Sequence, residues 1–384
     1  MSLRDSLKKF FPESLSREMR EFYASTAIFD FGSGLTTIFE PVYLWSAGWP
    51  VREIVVLYLA SYVVYFAVAP LGAKFCRARG YEKSVALSTP FAVLYFAFLF
   101  AAPGSRIFAG LAAVALALFK TFYWPGARSI ISRYSPVGEG GRVLSGLNAI
   151  SFLAVLVGPL AGGIILQTFG FAALFTVASI VILLSNIPML ITAEPFEPRP
   201  VDYAESYRRL VRPDFRRTVV GHFGYGEEFI SDFIWPILVA IVIPTYAVMG
   251  AAFAVGGVFT LIAIIFIGRI TDEHHRHPIL RSGTLLTSLS WILRVFAATP
   301  LGVLFAQSFY RVSRLAVTTP LMSIAGEKAR EHSNTKSSLL YEMSITLGKI
   351  FTAGLAVLLL TLFPGNLTAI FILAAGVTFF YAIY

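Results

Sequence analysis

Residues 143–193 read VLSGLNAISFLAVLVGPLAGGIILQTFGFAALFTVASIVILLSNIPMLITA and contain no Asp, Glu, Lys or Arg. A helix needs about 20 apolar residues to cross the hydrocarbon core of a bilayer. The run is therefore too long for one crossing and fits two, with Gln167, Thr168, Phe169 and Gly170 supplying the turn between them. The rest of the 384-residue chain has the same character: 57% hydrophobic, 14% charged, mean hydropathy +0.72. A soluble domain carries roughly 25% charged residues, so a soluble globular protein, a disordered chain and a nucleic-acid-binding domain are excluded. The fold class is an all-α membrane protein.

Working outward, apolar runs bounded by charges or turn residues fall at 22–45, 54–71, 84–102, 107–131, 143–166, 171–193, 219–243, 246–267, 282–298, 301–325, 337–363 and 367–384. Twelve helices use about 240 residues, which leaves tails and loops but no separate soluble domain. The single cysteine, Cys76, excludes an intramolecular disulfide. The tail, residues 1–21, holds Arg4, Lys8, Lys9, Arg17 and Arg20 and lacks the apolar run of a cleavable signal peptide. It reads as a solvated basic tail or, from Leu3, Leu7 and Phe10, as a short helix on the membrane surface.

The net charge of +9 is distributed by side. With both termini inside, cytoplasmic segments collect 24 of the 31 Lys and Arg residues, and the outer loops hold only Arg52 and Arg106. That asymmetry sets an orientation with N- and C-termini in the cytoplasm and suits a plasma (inner) membrane. The longest loop, 194–218, is rich in proline and charge and divides the chain into six-helix halves at 22–193 and 219–384. The halves read as copies. Glu40-Pro41 precedes Trp235-Pro236 by 195 residues, Pro125 precedes Pro320 by 195, and Gly72 precedes Gly268 by 196. Internal repeats of this kind are a recurrent transporter architecture.

Motifs at matching places sharpen this. Gly72-Ala73-Lys74-Phe75-Cys76-Arg77-Ala78-Arg79-Gly80 follows the second span, and Gly268-Arg269-Ile270-Thr271-Asp272 follows the eighth. Gly158-Pro159-Leu160-Ala161-Gly162-Gly163 lies in the fifth span, where it suits a bend with close helix packing. With these features the chain resembles the major facilitator superfamily of secondary transporters. Its first loop carries Cys76 where that family has an aspartate, and Asp272 keeps the aspartate in the second. The resemblance implies two pseudo-symmetric bundles, alternating access about a central cavity lined by the first and fourth helices of each half, and a conformational role for the loops at Gly72, Arg77, Gly268 and Asp272.

Charge inside the spans points to the same helices without the family. A charged side chain at mid-bilayer costs about 2.5–3.5 kcal/mol on insertion scales, so it is expected to face a cavity or a partner. Spans one, four, seven, ten and eleven carry Asp30 and Glu40, Lys120, Glu227, Glu228 and Asp232, Arg311 and Arg314, and Glu342 and Lys349; span nine adds Arg294. With a rise of about 1.5 Å per residue, Asp30, Asp232, Arg311 and Lys349 fall near the midplane. The substrate- and ion-binding candidates are Asp30, Glu40, Lys120, Glu228, Asp232, Arg311, Arg314 and Lys349. Asp30 is expected opposite Lys120, and Glu228 or Asp232 opposite Arg311 or Arg314. Two readings of these pairs stand side by side: fixed salt bridges holding the bundles, or groups that bind substrate and exchange protons. Glu40, with no cation in view in its half, is the proton-titrating candidate. Substrate sign is open.

Other signals are set aside. His274-His275-Arg276-His277 lacks cysteine and ordered spacing, so no metal is expected. His222 reads as a capping or interfacial residue. Asn366-Leu367-Thr368 matches a glycosylation acceptor but abuts the last span. There is no Walker loop, nucleophile elbow or zinc-protease helix, so neither a cofactor nor an enzyme is expected. The expected partners are a small-molecule substrate, protons and the lipid bilayer, not nucleic acid. The expectation is a secondary transporter, proton-coupled or an uncoupled facilitator, with a non-transporting receptor or scaffold of the same fold as the alternative from another class.

Overall fold

The computed structural model describes residues 16–134, 140–191, 203–272, 276–330 and 334–383, and among them every regular element is helical. Backbone N–H and C=O groups in lipid have no water to bond, and a helix satisfies them within one segment. The elements in order are α1 (Arg17–Thr36), α2 (Glu40–Ser46), α3 (Val51–Arg79), α4 (Tyr81–Ala101), α5 (Arg106–Tyr134), α6 (Gly140–Leu184), α7 (Tyr203–Val211) and α8 (Pro213–Gly221). They continue as α9 (Gly226–Phe233), α10 (Trp235–Val242), α11 (Tyr246–Asp272), α12 (Arg276–Val295), α13 (Pro300–Arg330), α14 (Asn334–Leu362) and α15 (Leu367–Thr378). Among the described residues five stretches are long and apolar enough to cross a membrane: Val51–Arg79, Tyr81–Gly104, Arg106–Ile131, Ala149–Leu190 and Leu339–Leu362.

The charge-free stretch turns where its sequence said it would. Gly170 has φ 80° inside α6, a left-handed value that side chains rarely adopt, and it divides α6 into two helices. The first and seventh runs depart from the expected single helices. α1 stops at Thr36 and α2 restarts at Glu40-Pro41; α9 stops at Phe233 and α10 restarts at Trp235-Pro236. Proline has no N–H to continue a ladder but fits a first helical turn, so each Pro opens a new helix after a short break. The segment expected as loop 194–218 holds two short helices, α7 and α8. In α7, Leu210 and Ser206 are buried while Glu205 pairs with Arg208, Arg209 and Arg212.

α7 sits against a flaw in α3. Pro70 removes the N–H that would bond the Phe66 carbonyl. The Tyr207 hydroxyl donates to that carbonyl at 3.0 Å and to Ala67 at 2.8 Å, and the Tyr203 hydroxyl donates to Ala67 at 2.5 Å. Backbone freed by a proline is thus satisfied by side chains from outside the helix.

Helices meet closely through small residues. A Cβ on Gly72 would lie 1.8 Å from the Thr121 carbonyl oxygen, so α3 and α5 touch backbone to backbone. Gly158 meets Gly34 across α6 and α1, and Gly250 meets the Pro159 carbonyl across α11 and α6. Asn366 caps α15, accepting from the Ala369 amide at 3.1 Å, and His222 lies buried against Ser344 at 2.6 Å.

Gly72→Val forces α3 off α5, whereas a Cβ at Gly110 meets nothing. Gly72→Val is expected to destabilise the protein by about 1–3 kcal/mol, read as a lower melting temperature in detergent, with Gly110→Ala at the wild-type value. Equal melting temperatures for both variants would show that the close approach is not stabilising.

Candidate functional site

The break before Pro41 starts a new helix at Glu40, and so sets its carboxylate beside α4. Glu40 accepts hydrogen bonds from the Tyr95 hydroxyl at 2.6 Å and from the Thr36 hydroxyl at 3.0 Å. Tyr95 lies 3.4 Å from the Tyr58 hydroxyl, and the Tyr58 ring stacks on Phe233 of α9 with centroids 3.7 Å apart. A chain of aromatic hydroxyls therefore leads from Glu40 to the seam where N-terminal helices meet C-terminal ones.

The short α9 carries three carboxylates, Glu228 and Asp232 four residues apart on one face and Glu227 turned from them. Glu227 is fully buried, accepting from Trp291 Nε1 at 2.9 Å and from the Tyr310 hydroxyl at 2.7 Å. Arg314 Nε lies 3.1 Å from its other oxygen, an ion pair without hydrogen-bond alignment. Glu228 contacts Arg314 as well and accepts from Lys349 Nζ at 2.6 Å. Asp232 makes no hydrogen bond or ion pair among the described residues, although the charges of Lys349, Lys120, Arg294 and Arg311 all act on it through space.

Across the seam, Lys120 on α5 donates to the Tyr62 hydroxyl at 2.9 Å and lies 4.2 Å from that ring's centroid. Lys349 on α14 lies 5.5 Å from the same centroid. One turn and more below, Arg128 on α5 pairs with Glu342 on α14 at 2.5 Å, and the Tyr65 hydroxyl donates to Glu342 at 3.1 Å. The Arg128 and Arg314 side chains are one-third and about one-fifth exposed, at 33% and 22%, so protein does not close fully over this layer.

The candidates from sequence divide accordingly. Lys120, Lys349, Glu228, Arg314 and Asp232 come together around Tyr62, and Glu228 pairs with Arg314 as expected. Asp30 does not pair with Lys120; its partner is the Ser151 hydroxyl. Arg311 lies along Gly256 and Gly257 of α11 with no hydrogen-bond or ion-pair partner among the described residues. Gly72 and Gly158–Pro159 act in packing, and Arg77 is half-buried in the last turn of α3. The side chains of Gly268 and Asp272, and His274 and His275, lie outside the described residues.

Several polar residues escaped the sequence reading of the site. Arg294 is fully buried, ringed by Tyr310, Trp291 and Trp235 at 3.8, 4.2 and 4.3 Å from the guanidinium carbon, and donates to Gln307 at 2.9 Å. Arg128, near the end of the run 107–131, lies in α5 and pairs with Glu342 of α14, which spacing does not reveal. The tyrosines at 62, 65 and 95 carry no signal beyond general aromatic abundance.

An all-helical chain with apolar helices of membrane length and ionic groups gathered within them is an integral, multi-pass membrane protein. It matches the Major Facilitator Superfamily over residues 22–243 and belongs to that family. Among curated proteins it is 21% identical over 196 residues to a "Multi-drug resistance efflux pump PmrA homolog" of Lactococcus lactis subsp. lactis, covering 48% of each chain. It is 27% identical over 199 residues to "Multidrug resistance protein MdtG" of Escherichia fergusonii, covering 47% of each. The chain thus spans about half the length of the curated relatives it matches.

Removing one member of a buried pair strands the other's charge and costs roughly 3–5 kcal/mol. Glu227→Ala should therefore lower thermal stability far more than Glu228→Ala, whose position is one-fifth exposed. Equal losses in a detergent melting assay would contradict the different environments of these neighbours.

Proposed function

We propose that this protein is a secondary transporter moving a small organic solute by alternating access. In this reading it crosses the plasma membrane twelve times, with both termini cytoplasmic. Residues 22–193 and 219–384 form two bundles joined through 194–218, and they rock about a midplane site. The observation that carries the proposal is the ionic layer at the seam, with Lys120 and Tyr62 on one side and Lys349, Glu228 and Asp232 on the other, inside helices otherwise apolar. A scaffold would be expected to bury and pair such groups fully. Arg314, Lys349 and Glu228 are instead 12–22% exposed. The two relatives, a multi-drug resistance efflux pump homolog and a multidrug resistance protein, support outward movement of a drug-like solute.

Glu40 takes the coupling proton in this reading. It has hydroxyl partners only, and a carboxylate held by hydroxyls is free to exchange a proton without first breaking an ion pair. Arg128–Glu342 and Tyr65–Glu342 are the contacts that part when the cytoplasmic side opens.

Reconstitution into proteoliposomes tests both parts, with 4-phenylbutanesulfonate and 4-phenylbutyltrimethylammonium as permanently charged probes that do not leak across lipid. Wild type should move a probe in response to an imposed pH gradient. Glu40→Gln should lose that response and keep exchange of probe across the membrane. Movement by wild type without any dependence on the pH gradient identifies an uncoupled facilitator. Liposomes with and without protein behaving alike for both probes would overturn the transport reading.

A further inference from the structure

A cavity lies outside the ionic layer, at the end of α3 and α14 away from Arg128 and Glu342. Its volume is about 430 Å³, within the range of about 300–1,000 Å³ usual for ligand sites. Trp45, Trp49 and Arg52 line it from the N-terminal half, and Leu360, Thr361 and Pro364 from the C-terminal half. Residues 45–52 precede the apolar run 54–71, and residues 360–364 close the run 337–363. The cavity therefore lies at headgroup depth, where tryptophans are enriched. One wall is fixed by Arg106, whose guanidinium carbon lies 4.1 Å from the Trp49 ring centroid and which pairs with Glu53. Arg52, exposed in the first turn of α3, has no hydrogen-bond or ion-pair partner among the described residues and is the charged residue in the lining. Below it, Val56, Ala60, Val63, Ala67 and Leu71 are exposed at steps of three or four residues, one stripe along α3 that begins at Arg52. On α14, Leu358 is exposed one turn before Thr361. In a spanning helix an exposed apolar stripe faces acyl chains, so the cavity sits where two lipid-facing stripes end.

We infer that this cavity is a site for one anionic phospholipid of the bilayer, with its phosphate on Arg52, its glycerol region against Trp45, Trp49 and Pro364, and an acyl chain along Val56 and Leu358. This goes beyond the transport reading and does not depend on it. The guanidinium is a planar fork matched to two phosphate oxygens. Among the described residues no carboxylate lines the cavity, so nothing in its wall balances the ammonium of a zwitterionic headgroup, and a headgroup of net negative charge is favoured. A solute arriving from water would meet the same cation and leave the stripes to other molecules. A phospholipid satisfies cation and stripes together, and the bilayer presents it at the right depth. The lining comes from both halves of the chain, so a lipid held there favours the arrangement in which these two ends stay together, by as much as it binds that arrangement more tightly than one in which they part.

Purified full-length protein in dodecyl maltoside should be melted with dioleoylphosphatidylglycerol or dioleoylphosphatidylcholine mixed into the micelles, and separately with glycerol phosphate in solution. Phosphatidylglycerol should raise the melting temperature by mass action, and the other two should do so much less. Arg52→Gln should raise the mole fraction of phosphatidylglycerol for half-maximal stabilisation about tenfold. Thr361→Phe, which fills the cavity and leaves the cation in place, should do the same. Arg52→Lys should keep part of the response, and Arg208→Gln, at an exposed arginine of α7, should keep all of it. Should Thr361→Phe fail to fold, the comparison of Arg52→Gln with Arg208→Gln still decides, since both positions are exposed. The inference is overturned if phosphatidylcholine or glycerol phosphate stabilises as well as phosphatidylglycerol, or if Arg52→Gln or a folded Thr361→Phe responds like wild type. It is overturned equally if Arg208→Gln loses as much as Arg52→Gln, or if no lipid produces a response. Each result is read without movement of solute, so failure here and failure of the transport reading are distinguishable.

Discussion

A charge left alone in hydrocarbon is worth several kcal/mol of instability, and the arrangement of this protein follows from avoiding it. Glu227 shows the strict form of the solution. It is closed from solvent, and an indole, a phenol and a guanidinium converge on its two oxygens. Arg294 shows the other form, in which a weakly hydrated planar cation is wrapped in ring faces and one amide in place of a carboxylate. These two groups share Trp291 and Tyr310, so the same side chains that donate to the anion enclose the cation. The C-terminal helices α9, α12 and α13 are tied together through that shared pair.

The backbone obeys the same rule. Pro41, Pro70 and Pro236 each interrupt a ladder inside or beside an apolar segment. At Pro41 and Pro236 the chain ends one helix and starts another, and the first turn of the new helix presents Glu40 and Trp235 at the seam. At Pro70 the helix continues, and the freed carbonyl one turn before it is taken by the Tyr207 hydroxyl of α7. A segment that is polar and proline-rich in sequence is therefore drawn into the fold by a defect in an apolar helix far from it in the chain.

Much of this architecture was legible. The apolar runs and the turn at Gly170 depend on local chemistry, span length and a positive φ, whereas the breaks before Pro41 and Pro236 inside the first and seventh runs were not expected. The site was legible only in its membership. Depth along a helix follows from counting residues, but facing depends on rotation about the axis and on neighbours hundreds of residues away. Glu227 and Glu228 differ by one position and by about 100° around the helix, which sends one into the aromatic cluster and the other to Lys349. Asp30 and Lys120 were matched by sign within one half of the chain, yet Ser151 and Tyr62 are their partners. Arg128 lies in the run 107–131, but nothing local in the sequence names its partner, Glu342, which is far along the chain.

The contrast between pairs within one set of helices and pairs across the seam bears on how such a molecule would move. Two states that both occur must lie within a few kcal/mol of each other, so whatever parts during the exchange has to be replaceable by water at small net loss. Arg128–Glu342 comes nearer to that condition, because the Arg128 side chain is one-third exposed and a partly exposed ion pair contributes less than a sealed one. Glu227 does not, since no water reaches it and its three partners would be stranded together. Glu227 and Arg294 thus tie α9, α12 and α13 into one unit, while Arg128–Glu342 and Tyr65–Glu342 are among the polar contacts that run from N-terminal helices to C-terminal ones.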